Sequence, residues 1–438
     1  MFVAHTAHIH PAQQEGPTAV QLQGINEPVK HKLHNGVKLL AKARSMTKLG
    51  EYNTPFKPSP GNYYLMTHLI DSLLVKVHSR CNLMCDYCYE YNSGNTSWRS
   101  KPKEMSKDVY EQMLVRVKEH CDCHQVKEMF FSFHGGEPLL RQPDWYRYAI
   151  TKARTVLEPN TSVSFGMQSN GTLLTMEWVE LLHELNIGYG ISIDGPKETH
   201  DKYRVHSNGD PSFDLTMDGL RLLLTPKGRS IWGGVLSVID VDSDPVEVFE
   251  FLAQFNPPSI DFLEPHGSWG DLPSGKTSYQ DLTYGQWLIR LFNFWFDHPD
   301  YSKIPIRKFD EIIEHCYGGR GSLESLGLEP VTLVTVATDG MVESVDCIKA
   351  AHPNAHYLGM NIYENTFDDI VDHPMIKLRQ IGMDALDQVC KNCEHVLICG
   401  GGYFAHRYDP SDDSFSHRTI YCEDLKLLIG HIRRRLGR

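Results

Sequence analysis

From about residue 71 the apolar positions fall into two alternating periods. Short β-branched or wholly apolar runs read as strands over Leu73–His78, Glu128–Phe133, Ser162–Gln168, Gly188–Ile193, Ile231–Ile239 and Ser259–Leu263. Between and after them the spacing lengthens to that of amphipathic helices. These cover Ser106–His120, with Ser106 as N-cap, then Asp144–Leu157, Thr175–Leu185, Phe213–Leu224, Pro245–Phe255 and Gln280–Phe296. Six βα units in series predict an α/β fold, a parallel sheet with helices outside it. Curled, that sheet is six-eighths of a TIM barrel, a partial (β/α)6 barrel, with function at the C-terminal strand ends. The first four strands each end in a polar or Gly-rich motif.

The flanks follow other patterns. Residues 1–70 read as a partly flexible extension. His5, His8 and His10 precede a Pro/Gln/Gly stretch, a short basic helix fits Val37–Lys48, and Pro55, Pro58 and Pro60 suggest an extended linker. The barrel is assigned to 71–300 and a bridge to 301–330. A small cysteine-rich unit over 331–438 opens with a hairpin, Val331–Asp346, turning at Asp339-Gly340.

Composition narrows the function classes. The 438-residue chain carries a net charge of −12, which argues against a nucleic-acid partner. No apolar run approaches the ~20 residues of a membrane span. The first residues lack the pattern of a signal peptide, so a cytoplasmic, thiol-reducing setting is expected for the eleven cysteines.

Cys81, Cys85 and Cys88 follow the first strand at C-x3-C-x2-C. Three thiolates can hold a [4Fe–4S] cluster and leave one iron open to a ligand. Structural zinc, which wants four ligands, and packing cysteines are the plainer alternatives. After the second strand comes His134-Gly135-Gly136-Glu137-Pro138. The glycines permit close backbone approach to a ligand, and a carbonyl or Glu137 can accept from an ammonium group. Gln168-Ser-Asn170-Gly follows the third strand, with an ordinary Asn-Gly turn as its bland reading. Ser192 and Asp194 end the fourth on one face.

The cysteine spacing resembles the signature of the radical S-adenosylmethionine (SAM) superfamily. The resemblance implies a [4Fe–4S] cluster with SAM bound at the open iron, and a 5′-deoxyadenosyl radical as reagent. It places Tyr87 near the adenine, and Gly135, Gly136 and Glu137 at the SAM amino group. Gln168 and Asn170 fall among the SAM contacts, Ser192 and Asp194 at the ribose, and Arg204 at the carboxylate. Arg204 as a mere surface arginine stays open.

Cys390, Cys393, Cys399 and Cys422 form a second group, enough for a closed cluster, with zinc as the alternative. Their spacing resembles the SPASM domain of peptide-modifying radical SAM enzymes. Tyr403 and Glu364 stand where the full pattern has cysteines, so one auxiliary [4Fe–4S] cluster is expected. Cys347 and Cys316 are unassigned, and Cys121 and Cys123, past a helix end, read as free thiols. The segments around His78–Leu83, Ser97-Trp98-Arg99, Asp261–His266 and Cys399–Tyr408 resemble the cyclophane-forming FxsB-like group. That implies a maturase that joins an aromatic ring to a nearby Cβ in a precursor peptide, supplied with electrons by a reductase, flavodoxin or ferredoxin. Its final proton acceptor is not readable, Asp194 and Glu264 being guesses. A sulfatase-type maturase forming formylglycine, a thioether-forming enzyme and an iron–sulfur electron carrier are the alternatives.

Overall fold

The computed structural model describes residues 69–438, so the expectations for the N-terminal histidines, helix and linker lie outside the described residues. The six expected strands are β1 (Ser72–His78), β2 (Glu128–Gly135), β3 (Ser162–Ser169), β4 (Ile187–Ser192), β5 (Trp232–Val238) and β6 (Ile260–Leu263). They lie side by side in chain order, all parallel, and β6 does not return to β1. The result is an open, partial barrel. β1 is buried throughout because helices and lumen cover both its faces.

Two further strands extend the sheet. β7 (Leu333–Val336) pairs parallel with β1, and β8 (Val342–Glu343) turns back antiparallel on β7. The hairpin at Asp339-Gly340 is therefore a continuation of the barrel wall beside the strand that leads into Cys81. Chain pattern alone shows a hairpin; its partner 261 residues upstream (Ser72 opposite Leu333) is a long-range choice.

Helices cover the outer face. Lys107–His124 starts at Ser106, whose hydroxyl accepts from the Val109 N–H, and presents Val109, Tyr110, Met113, Leu114 and Val117 to the core. It runs one turn beyond the expected end and closes at Gln125 in the left-handed region. Cys121 and Cys123 consequently lie within its last turn, the first buried and the second exposed, which corrects their placement past a helix end. Phe131, Phe133 and Phe165 stack under this layer, Trp145 and Tyr146 meet Phe133 edge-on, and Trp178 meets Tyr146 edge-on. The final helix, Cys422–Leu436, lays Leu425, Leu428, Ile429 and Ile432 against helix Thr283–Asp297. A buried ion pair, Lys276–Asp424 at 2.5 Å, fixes that contact. The start of the C-terminal helix, with Cys422, is thus anchored to the barrel.

Candidate active site

The loop carrying Cys81, Cys85 and Cys88 leaves the C-terminal end of β1 and is fastened to the end of β2. Gly136 N–H donates to His78 O and Glu137 N–H to Arg80 O, both at 2.9 Å. A Cβ on Gly136 would stand 2.0 Å from the Tyr91 hydroxyl and 2.3 Å from Arg80 O, and one on Gly135 2.1 Å from His78 O. These glycines admit the cysteine loop itself, where the sequence suggested approach to a ligand.

Glu137 is buried and braces the strand ends. Its carboxylate accepts from Leu139 N–H (2.9 Å), Ser169 Oγ–H (2.8 Å) and Asn170 N–H (3.0 Å), three of its about four lone-pair sites. Burial pushes its carboxyl up against the opposing pull of those amides. Asn170 in turn donates to Asn82 Oδ1 at 3.0 Å and reaches 3.7 Å from Cys81 Sγ.

Ser192 accepts from Gln168 Nε2–H at 2.9 Å. Asp194 accepts from Val238 N–H at 3.0 Å and from the Tyr87 hydroxyl, which itself accepts from Arg204 Nη1–H at 2.8 Å. Asp194 therefore faces the cysteine loop, and Arg204 is a buried residue, not a surface one. Two buried polar atoms here, Gln168 Oε1 and Arg204 Nε, have no protein partner. Such orphans are costly unless a polar ligand meets them, and a SAM molecule offers suitable groups.

The three cysteines are half-buried on this loop. Burial pushes the Cys88 thiol up to about 12, with Cys85 adding to the shift, and raises Cys81 and Cys85 also. Backbone N–H groups nevertheless point at the sulfurs, Leu83 N–H at 3.3 Å from Cys81 Sγ, an arrangement suited to thiolates. Iron coordination removes the thiol proton that burial otherwise holds.

Cys390, Cys393, Cys399 and Cys422 line one cavity of 150 Å³, together with His395, Arg418 and Lys426. They come from helices Gln388–Lys391 and Val396–Cys399, the segment between, and the first turn of the C-terminal helix. The chain leaves Cys399 through Gly400, Gly401 and Gly402, all left-handed, and a Cβ on Gly400 would collide with Gly327 O at 1.5 Å. Among the described residues, no three sulfurs of either group lie within 4.8 Å of one another. Thiolates at about 2.3 Å from a single zinc ion sit about 3.8 Å apart. Both groups are wider than that tetrahedron, and the four C-terminal cysteines share one cavity.

Cys347 has no such company. Its sulfur is hydrogen-bonded to the Tyr403 hydroxyl, and Glu364 is exposed on a turn. His266 and His406, hydrogen-bonded at 3.0 Å, pack beside Tyr403.

A further group escaped sequence reading. Asp346, fully buried, follows β8 and is carried by it to the barrel mouth. It accepts from the Tyr89 hydroxyl at 2.6 Å and from Cys347 N–H at 2.8 Å, and lies 3.8 Å from His134 Nδ1. The one signal was its place at the end of the hairpin; only the β1–β7 pairing puts it next to the residue after Cys88. Glu264, by contrast, is tied to Lys308 at 2.5 Å. One other His/Asp group, His120, His124 and Asp368, is a latch: His120 Nε2 accepts from Ile70 N–H, so its Nδ1 carries the proton that goes to Asp368.

Residues 75–252 match the model of the Radical SAM superfamily. A serine-type anaerobic sulfatase-maturating enzyme of Bacteroides thetaiotaomicron is 27% identical, covering 80% of this chain and 86% of that protein. A cysteine-type anaerobic sulfatase-maturating enzyme of Clostridium novyi is 26% identical over 81% and 93%. The solved structure of native anSMEcpe with bound AdoMet superposes with a TM-score of 0.70 at 24% identity, over 84% and 98% of the two chains, a likeness of fold. No helix among the described residues is long and apolar enough to cross a membrane. Residues 75–252 form a radical SAM domain on the partial barrel, and SAM and a [4Fe–4S] cluster are the cofactors of that domain.

Proposed function

We propose that this protein is a peptide or protein maturase that oxidises a Cys or Ser side chain to an aldehyde, in line with its similarity to serine-type and cysteine-type sulfatase-maturating enzymes. The observation that carries the reading is Asp346, a buried carboxylate set at the barrel mouth beside the cysteine loop. When bound at Cys81, Cys85 and Cys88 and at the C-terminal cysteines, the clusters and SAM supply a radical that takes a hydrogen atom from carbon and an acceptor for one electron. The chain's own residues do the rest. Tyr87, Asp194, Arg204, Gln168 and Ser192 hold SAM, with Gly135, Gly136 and Asn170 shaping the wall. Glu137 keeps that wall rigid. Asp346 takes the hydroxyl or thiol proton as the side-chain carbon becomes a carbonyl or thiocarbonyl, and water replaces sulfur in the latter case. Tyr89 orients its carboxylate. The substrate is a precursor peptide or protein, and a reductase, flavodoxin or ferredoxin supplies electrons.

Cyclophane formation is the second reading. It is favoured by Tyr403 and Cys347, which close on each other where a second auxiliary cluster would need thiolates. A hydrazide probe separates the two. The reconstituted enzyme, given SAM, reductant and peptides bearing Cys, Ser or aromatic residues, should yield a hydrazide-reactive aldehyde on the Cys or Ser peptide. Loss of hydrogen from an aromatic peptide without hydrazide labelling would replace the first reading by the second.

A further inference from the structure

Four charged side chains are buried between the cysteine loop and the turn that carries Asp346, and the chemistry above uses none of them. Lys76 on β1 and Lys349 both donate to Glu90 Oε2, Lys349 at 2.8 Å. Lys349 also donates to Glu343 Oε2 at 2.9 Å, and Lys76 lies 3.7 Å from that oxygen. The Lys349 and Glu343 side chains are each 1% exposed. Lys101 reaches Glu343 Oε1 at 3.1 Å. Three cations thus face Glu90 and Glu343, and Asp339, 3.6 Å from Lys101, evens the charges.

A buried ring of ions adds little to stability, because desolvation offsets most of the attraction. Its location is therefore the informative part. Glu90 stands two residues after Cys88 and next to Tyr89. Glu343 and Lys349 stand three residues before and after Asp346. The Tyr89–Asp346 and Glu90–Lys349 contacts are neighbouring ties between the same two segments. The Tyr89 and Cys347 bonds orient the carboxylate, and the adjacent Glu90–Lys349 tie fixes the segment that bears it.

We infer that Lys349 is a positioning residue: by joining Glu90 of the cysteine loop to Glu343 of β8, it holds the Asp346 carboxylate at the barrel mouth. The inference rests on the role proposed for Asp346. Loss of the tie leaves SAM cleavage in place and displaces the proton acceptor, so hydrogen abstraction runs without product. Displacement by about 1 Å is enough to cost about 100-fold in a positioned reaction.

The test uses Lys349→Met and Lys349→Arg in the full, anaerobically reconstituted chain, with the peptide that gives aldehyde in the wild type. The readouts are 5′-deoxyadenosine released per aldehyde formed, the KM for SAM, and amide exchange over residues 343–351 in cluster-free protein. Lys349→Met should raise the ratio about tenfold or more, leave the KM for SAM unchanged and speed exchange, by the same misplacement argument. Lys349→Arg keeps the charge and hydrogen-bond donors on a larger side chain, so it should recover part of the ratio. If Lys349→Met does not fold, Glu90→Gln, which keeps shape and weakens the tie, is read in its place with the same expectation. A folded variant with the wild-type ratio and wild-type exchange overturns the inference. A wild type that gives aldehyde on no peptide counts against the proposed function, and the exchange readout then decides the tie alone.

Discussion

Glu137→Ala tests how the strand ends are held. The carboxylate is 1% exposed and serves the Leu139 and Asn170 amides and the Ser169 hydroxyl. The hydroxyl can turn elsewhere, but the two amides are left buried without acceptors. At about 1–3 kcal/mol for each stranded donor, the loss is about 2–6 kcal/mol. Glu137→Gln keeps one acceptor oxygen and turns an amide N–H toward Asn170 N–H, so an intermediate loss follows. Urea unfolding of cluster-free protein measures this, and SAM binding to the reconstituted protein should weaken in the same order because Asn170 leans on Cys81. A Glu137→Ala protein within about 0.5 kcal/mol of wild type would refute the reasoning, since a surface residue behaves that way.

Wild-type protein should hold about eight irons, and changing Cys390, Cys393, Cys399 and Cys422 to Ser should remove about half; about twelve irons would show a third cluster that Cys347 and Tyr403 leave no room for. Asp346→Asn should keep SAM cleavage and lower product formation about 10²–10⁴-fold, the range for a lost general base, with wild-type product yield as the contrary result. His200, buried between Asp194 N–H and Ser212, is held by burial, with Arg204 adding, down to about 3. It folds neutral and must charge on unfolding below the ordinary pH 6.5, so its contribution is whole above that pH and shrinks by about 1.4 kcal/mol per unit as pH falls toward 3. The urea midpoint should therefore be lower at pH 5.5 than at 7.5, and the difference smaller in His200→Asn.

The strands were legible because each is a short apolar run closed by a polar turn, and the observed ends lie within a residue or two of those expected. Local spacing likewise marked both cysteine groups. Less visible was what depends on distant pairing. Lys76 sits inside an apolar strand and reads as an interruption, yet it is one corner of an ion ring whose other corners come from the cysteine loop and β8. Glu137 reads as a ligand contact from its Gly-rich motif, and its bonds to Leu139, Ser169 and Asn170, which tie the ends of β2 and β3, have no signal in the sequence. The helix Arg307–Cys316 falls in the stretch that reads as a bridge, and only its packing shows Phe309 and Ile312 burying one face. Asp346 carried no local mark beyond its place at the end of the hairpin, and a carboxylate there is ordinary until the hairpin is placed beside β1.

The most direct measurement is 5′-deoxyadenosine release after anaerobic reduction with SAM. Wild-type protein should produce it, and the Cys81→Ala, Cys85→Ala, Cys88→Ala protein should produce none while keeping about half of the iron. No release from a wild type loaded with both clusters, or continued release from the triple variant, would contradict the assignment of the reaction to the loop after β1.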